Sequence, residues 1–169
     1  MPKPLEGEYA PFAKGYVALV KGDNLKEIIA NHASEIHSFY NSLPEEKADH
    51  RYEQNKWTIK ELVQHIIDAE RIFSYRALRI ARKDFTPLPS FDENTFTANS
   101  NANSRTLLSL KEEFNAVREA TDLLLQSFDQ EQLNQQGTAG NHPTTVNAIM
   151  YIIYGHLLHH INIIQQRYL

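Results

Sequence analysis

The sequence predicts an all-α protein, a four-helix bundle with a short N-terminal arm and one long connection between its second and third helices. Three observations point there. Apolar residues recur at helical spacing in four long stretches. Turn-forming segments rich in Pro, Gly, Asn and Ser separate those stretches. Long helices joined by long connections favour a bundle, in which sites are built from side chains on facing helices. With 169 residues, 41% hydrophobic and 22% charged, the chain is long enough for one sizeable core and short for two. A single domain over residues 1–169 follows, with 1–22 as the arm and 24–168 as the bundle. No internal repeat or low-complexity tract interrupts it.

In chain order, the segment from Tyr9 to Val20 fits either an extended arm or a short helix. The first long helix runs from about Asn24 to Leu43, with Leu25, Ile28, Ile29, Ala33, Ile36, Phe39 and Tyr40 at helical spacing and Pro44 beyond its end. The second opens on a capping box, Thr58 followed three residues later by Glu61, and continues through Leu62, Val63, Ile66, Ala69, Ile72, Phe73, Ala77 and Ile80 to about Arg82. Pro87, Pro89 and a Ser-, Asn- and Thr-rich run to Ser104 then form a connection longer than a turn requires. The third helix spans about Arg105 to Phe128. Gly137 to Pro143 leads into the fourth, which runs from about Thr144 to the C-terminus.

Composition narrows the function. A net charge of −4 argues against binding phosphate backbones, which calls for clustered Lys and Arg. No apolar run approaches the roughly 20 residues that span a bilayer, and the N-terminus has no signal-peptide core, so the cytoplasm is the expected compartment. The chain has no cysteine. Disulfides, Cys-ligated zinc and a Cys nucleophile are excluded, and any thiol chemistry must use a thiol from another molecule.

The feature that carries chemistry is His156 and His160, four residues apart in a run without Pro. Positions i and i+4 lie on one helix face, so two imidazoles can meet at one ion. At about 100° per residue both continue the line of Val146, Ile149, Ile153 and Ile163, whereas His159 falls toward the flank with Gly155, Asn162 and Gln166. On the second helix His65 lies between Leu62 and Ala69 and points into the core or a cleft beside it. Three imidazoles with an open position describe a catalytic type of metal site. A histidine on an apolar stripe is nonetheless more often a core residue bonded to a neighbour, and His156 with His159 is also a helical pair. His32, His37, His50 and His142 read as surface or loop residues.

Three blocks of this chain resemble a known family: Gly7-Glu-Tyr-Ala-Pro-Phe12; Arg51 through Lys56-Trp57 and His65-Ile-Ile-Asp68-Ala-Glu70-Arg71 to Arg79; and Gly155-His156-Leu-Leu-His-His160. In combination and order they resemble the YfiT-type branch of the DinB-like superfamily over nearly the whole length. The resemblance implies an up-down-down-up four-helix bundle, often a homodimer, with one divalent metal on three histidines matching His65, His156 and His160. Members include transferases that join a small thiol, bacillithiol, mycothiol or glutathione, to an electrophile; others carry only a metal-dependent hydrolase label.

For this chain the expectation is thiol transfer, with hydrolysis and a non-catalytic metal-binding or stress-response role as alternatives. A divalent ion on three neutral imidazoles, zinc or nickel first and manganese or cobalt also compatible, favours the thiolate near neutral pH. Arg71, Arg76 and Arg79 offer cations for the carboxylates of a small thiol, or are surface arginines paired with Glu70 and Asp68. Asp68 is a candidate to orient a ligand or act on substrate, and His159, Asp68 or Glu70 to serve as a base in hydrolysis. The zincin pattern is excluded, because Leu157 stands where it needs Glu. The connection from Asp84 to Asn103 is expected to gate the site.

Overall fold

A computed structural model describes residues 2–169. Seven helices and one hairpin follow in order: α1 (Lys14–Leu19), α2 (Leu25–Asn41), α3 (Ile59–Ala81), α4 (Glu93–Asn99), α5 (Leu107–Gln126), α6 (Gln130–Leu133), β1 (Gln136–Ala139), β2 (His142–Thr145) and α7 (Val146–Arg167). The four long helices α2, α3, α5 and α7 form the bundle. α3 packs against both α5 and α7, and α2 closes the far side against the same two. Among the described residues no helix is long and apolar enough to cross a membrane.

Local chemistry sets the long helices where the sequence places them. Asn24, Thr106 and Thr145 each cap a helix by accepting a bond from the third residue beyond, and Thr58 and Glu61 form the reciprocal capping box of α3. α7 is the central element. Every residue from Val146 to Leu158 is buried, because α1 covers the face that α2 and α3 leave open. Tyr40 anchors α2 to α7 by donating from its hydroxyl to the Leu157 carbonyl at 2.8 Å.

The N-terminal arm takes the helical one of its two expected forms, a 3-10 turn, Pro11–Ala13, running into α1. Two segments carry more structure than the sequence pattern predicts. The connection between α3 and α5 contains α4, capped by Asp92, whose carboxylate accepts from Thr95 N at 2.6 Å. The segment before α7 is an antiparallel hairpin turned by Gly140 and Asn141, both at positive φ (58° and 66°), as a two-residue hairpin loop requires. Leu88 joins the hairpin edge: its N–H donates to Thr138 O, and its carbonyl accepts from Gly140 N, both at 2.9 Å. The long connection is thereby fastened over one end of the α3–α7 seam.

Candidate metal centre

The seam between α3 and α7 brings three histidines together. His65 faces inward from the apolar stripe of α3, and His156 and His160 stack one turn apart on α7. The Nε2 atom of His156 lies 3.1 Å from Nε2 of His65 and 3.0 Å from Nε2 of His160. All three residues are buried, 8%, 5% and 7% exposed.

A ring nitrogen presents either one N–H or one lone pair. His156 Nε2 can therefore satisfy only one of its two imidazole neighbours well, and the third ring is left facing them unmatched. A cation satisfies three lone pairs at once. The possible ligand atoms lie within 4.8 Å of one another. Neighbouring ligands on a tetrahedral ion with bonds of about 2.1 Å stand about 3.4 Å apart, close to the two Nε2 separations in the fold. The donor set thus fits one divalent ion. The protonation states agree: burial pushes His65 down to about 4 and holds His156 and His160 well below the ordinary imidazole value, with the neighbouring imidazoles adding to the effect. All three are neutral near pH 7, the form that binds metal.

Aromatic rings flank two of the three imidazoles. Trp57 lies against His65 at 4.8 Å between centroids, and Phe73 and Tyr16 meet His156 edge-on at 5.7 and 5.5 Å. Above the triad opens a cavity of about 440 Å³, walled by these rings and Phe91, with Arg76, Glu93 and His142 as its charged or titratable members beside the triad. His160 Nδ1 is buried without a hydrogen-bond partner among the described residues.

The other candidates are placed differently. His159 is half-buried beside the triad, edge-on to Tyr16 at 5.1 Å. Asp68 does not line the cavity; it accepts from Gln64 Nε2 at 2.9 Å, on the side of α3 that faces Arg105 and Glu113. Glu70 is buried against Arg118, whose Nη1 donates to it at 2.7 Å. Arg71 pairs with Glu113 and Arg79 with Asp84, so neither pairs with Asp68 or Glu70. Of the three arginines only Arg76 lines the cavity.

Two histidines depart from their expected exposure. His32 is buried, 4% exposed, because it continues the stripe of Ile28, Ile36 and Tyr40 on α2; its Nε2 accepts from Lys21 N at 2.8 Å. His142 is half-buried on β2 and lines the cavity, where the hairpin carries it. The signal for that placement was the Gly140-Asn141 pair, a two-residue hairpin loop read as plain connection.

Comparison with known proteins follows the same lines. Residues 29–164 match the model of the DinB superfamily. A protein of Oceanobacillus iheyensis with the provisional name metal-dependent hydrolase is 30% identical over 96 residues, 56% of this chain and 54% of its own length. The match thus spans about half of that relative. YfiT from Bacillus subtilis, described as a probable metal-dependent hydrolase with an unusual four-helix bundle topology, superposes with a TM-score of 0.70 over 97% of this chain and 90% of its own, at 16% identity. At that identity the likeness is one of fold.

Proposed function

The chain belongs to the DinB superfamily, and from that premise we propose that His65, His156 and His160 hold one divalent metal ion at which a low-molecular-weight thiol is activated for transfer to a small electrophile. The observation that carries the metal is the convergence of three neutral, buried Nε2 atoms at the floor of one cavity. When bound, a divalent ion there supplies positive charge that favours the deprotonated form of a nucleophile.

The choice of nucleophile rests on what surrounds the triad. Hydrolysis at a metal centre is assisted by a group that handles protons beside it. Asp68 and Glu70 are engaged on the α5 side of α3, which leaves, among the described residues, Glu93, exposed on α4, and the histidines His142 and His159 as the groups beside the triad. A thiol ionises far more readily than water and needs no such base. In the transfer, the thiol proton leaves to solvent, sulfur bonds to the electrophilic carbon, and the leaving group departs with its electron pair. Trp57 keeps the His65 imidazole in place, and Tyr16 and Phe73 that of His156.

A second reading is hydrolysis, favoured by the names of the two relatives and by the presence of Glu93 and His142 in the same cavity. One experiment separates them. Protein stripped with chelator and reloaded with zinc or nickel is mixed with a small thiol and chlorodinitrobenzene, and separately with nitrophenyl esters without thiol. Metal-dependent loss of free thiol, abolished by His156→Ala, supports transfer. Ester turnover with no thiol consumption replaces it with hydrolysis.

A further inference from the structure

Arg76 stands out among the arginines. Arg51, Arg71, Arg79, Arg105 and Arg118 each pair with a carboxylate, and Arg82 and Arg167, which do not, are solvent-exposed. Arg76 is half-buried, lines the cavity, and has no ion-pair partner among the described residues. Its protein hydrogen bond is donated from Nη2 to the Pro89 carbonyl at 2.6 Å, one of the five N–H groups a guanidinium carries. The rings of Phe73 and Phe91 flank it at 6.0 and 5.9 Å. Burial lowers its pKa, and among the described residues no carboxylate offsets that; Glu93, the one acidic group among the described residues lining the cavity, helps to raise that of Tyr16. A desolvated charge without a counter-ion is costly, and here it is held in place by a backbone carbonyl and two rings.

From this geometry we infer that Arg76 recognises the anionic group of the substrate, so that the cavity takes a small molecule bearing a carboxylate at the end remote from its reacting atom. The inference rests on the catalytic reading of the triad for which end reacts, but not for the presence of the anion. His65, Ala69, Phe73 and Arg76 succeed one another along the cavity-facing side of α3. Eleven residues separate His65 from Arg76 (76 − 65), about 16 Å along the helix axis at ~1.5 Å per residue. The Arg76 side chain leans back toward the helix N-terminus, as helical side chains do, which shortens that span. Between the two ends lie aromatic walls, which suit an apolar body. Unlike a Lys, the guanidinium has donors left for a bidentate grip on a planar carboxylate after the Pro89 bond is made.

The test uses zinc-loaded protein and four probes: mercaptohexanoate, mercaptohexanol, hexanoate and hexanol, with the undecanoic series as the longer arm, each titrated calorimetrically against the parent, Arg76→Gln and Arg76→Lys. Glutamine keeps a donor for the Pro89 carbonyl, so a purely structural pin survives in it; melting temperature and zinc content are recorded to confirm that each variant is folded and loaded. The expected result is that the parent prefers carboxylate over alcohol by roughly 10-fold or more, with or without the thiol, and that the preference falls to near unity in Arg76→Gln while alcohol affinity stays put. Arg76→Lys retains part of it. A carboxylate preference equal in the parent and Arg76→Gln, or none in the parent at either length, overturns the inference. The thiol reading is judged separately, by the mercapto compounds against their sulfur-free partners.

Discussion

Tyr16 and Gly155 touch backbone to backbone: a Cβ built on Gly155 falls 2.2 Å from the Tyr16 carbonyl oxygen. This contact lets α1 lie directly on α7 one residue before His156, and it brings the Tyr16 ring against both His156 and His159. A glycine inside a helix ordinarily costs about 1 kcal/mol against alanine. Here close approach is what it provides, so the N-terminal arm belongs to the site's construction.

Gly155→Ala is therefore expected to lower stability even though alanine is the better helix former. The obstacle is backbone, which cannot swing aside, and overpacking of this kind typically costs about 1–3 kcal/mol. Urea midpoints with an unchanged slope measure it. A variant more stable than the parent would mean that α1 is not held against α7 as described.

Arg118 is the hub of a buried charge network. It bonds Glu70, which is 2% exposed, and Asp122, while Tyr154 on α7 donates to the same Asp122 at 2.7 Å. Removing the cation alone in Arg118→Met leaves Glu70 buried and unmatched, at a cost of about 3–5 kcal/mol. The double variant Arg118→Met with Glu70→Gln should recover part of that loss. If both variants denature at the same midpoint, Glu70 carries no buried charge.

Acid should unfold the metal-free protein through its histidines. An unfolded imidazole titrates near 6.5, whereas His65 titrates at about 4 in the fold and His156 and His160 well below the ordinary value. Below pH 6.5 the unfolded chain takes up protons that the folded chain refuses, so stability is fully present above that pH and drains as pH falls toward about 4. His65 alone accounts for on the order of 3 kcal/mol across that window. Denaturant midpoints of chelator-treated protein at pH 7 and pH 5 check the sign: the midpoint must be lower at pH 5, and a His65→Gln variant must show a shallower dependence. A midpoint that rises on acidification contradicts the placement of these rings.

Asp68→Asn should leave metal content and turnover within about twofold of the parent, because its carboxylate bonds Gln64 on the α5 side of α3 and stays out of the cavity. Loss of activity with metal retained would put Asp68 back among the catalytic groups.

The legible and illegible parts of the molecule divide by mechanism. Helix α3 could be read because Thr58 and Glu61 cap it through local bonds and its apolar stripe is long. The alignment of His156 with His160 followed from helical phase alone. α4 was hidden because seven residues rich in Asn and Thr carry little periodicity, and only Asp92 marked its start. His32 was misjudged as a surface residue although it sits four residues from both Ile28 and Ile36; its burial depends on Lys21 N supplying a donor from another segment. Arg71, Arg76 and Arg79 look alike in sequence. What separates them is tertiary: Glu113 from α5 takes the first, Asp84 the third, and the cavity leaves the second without a partner.

The central claim is the metal on three histidines, and elemental analysis of untagged protein purified without a metal column tests it most directly. The account predicts roughly one divalent ion per chain in the parent and a loss of that ion in both His65→Ala and His156→Ala. A parent that holds no ion and takes up none from excess zinc, nickel, cobalt or manganese would contradict it, and would leave His65, His156 and His160 as histidines packed in a core.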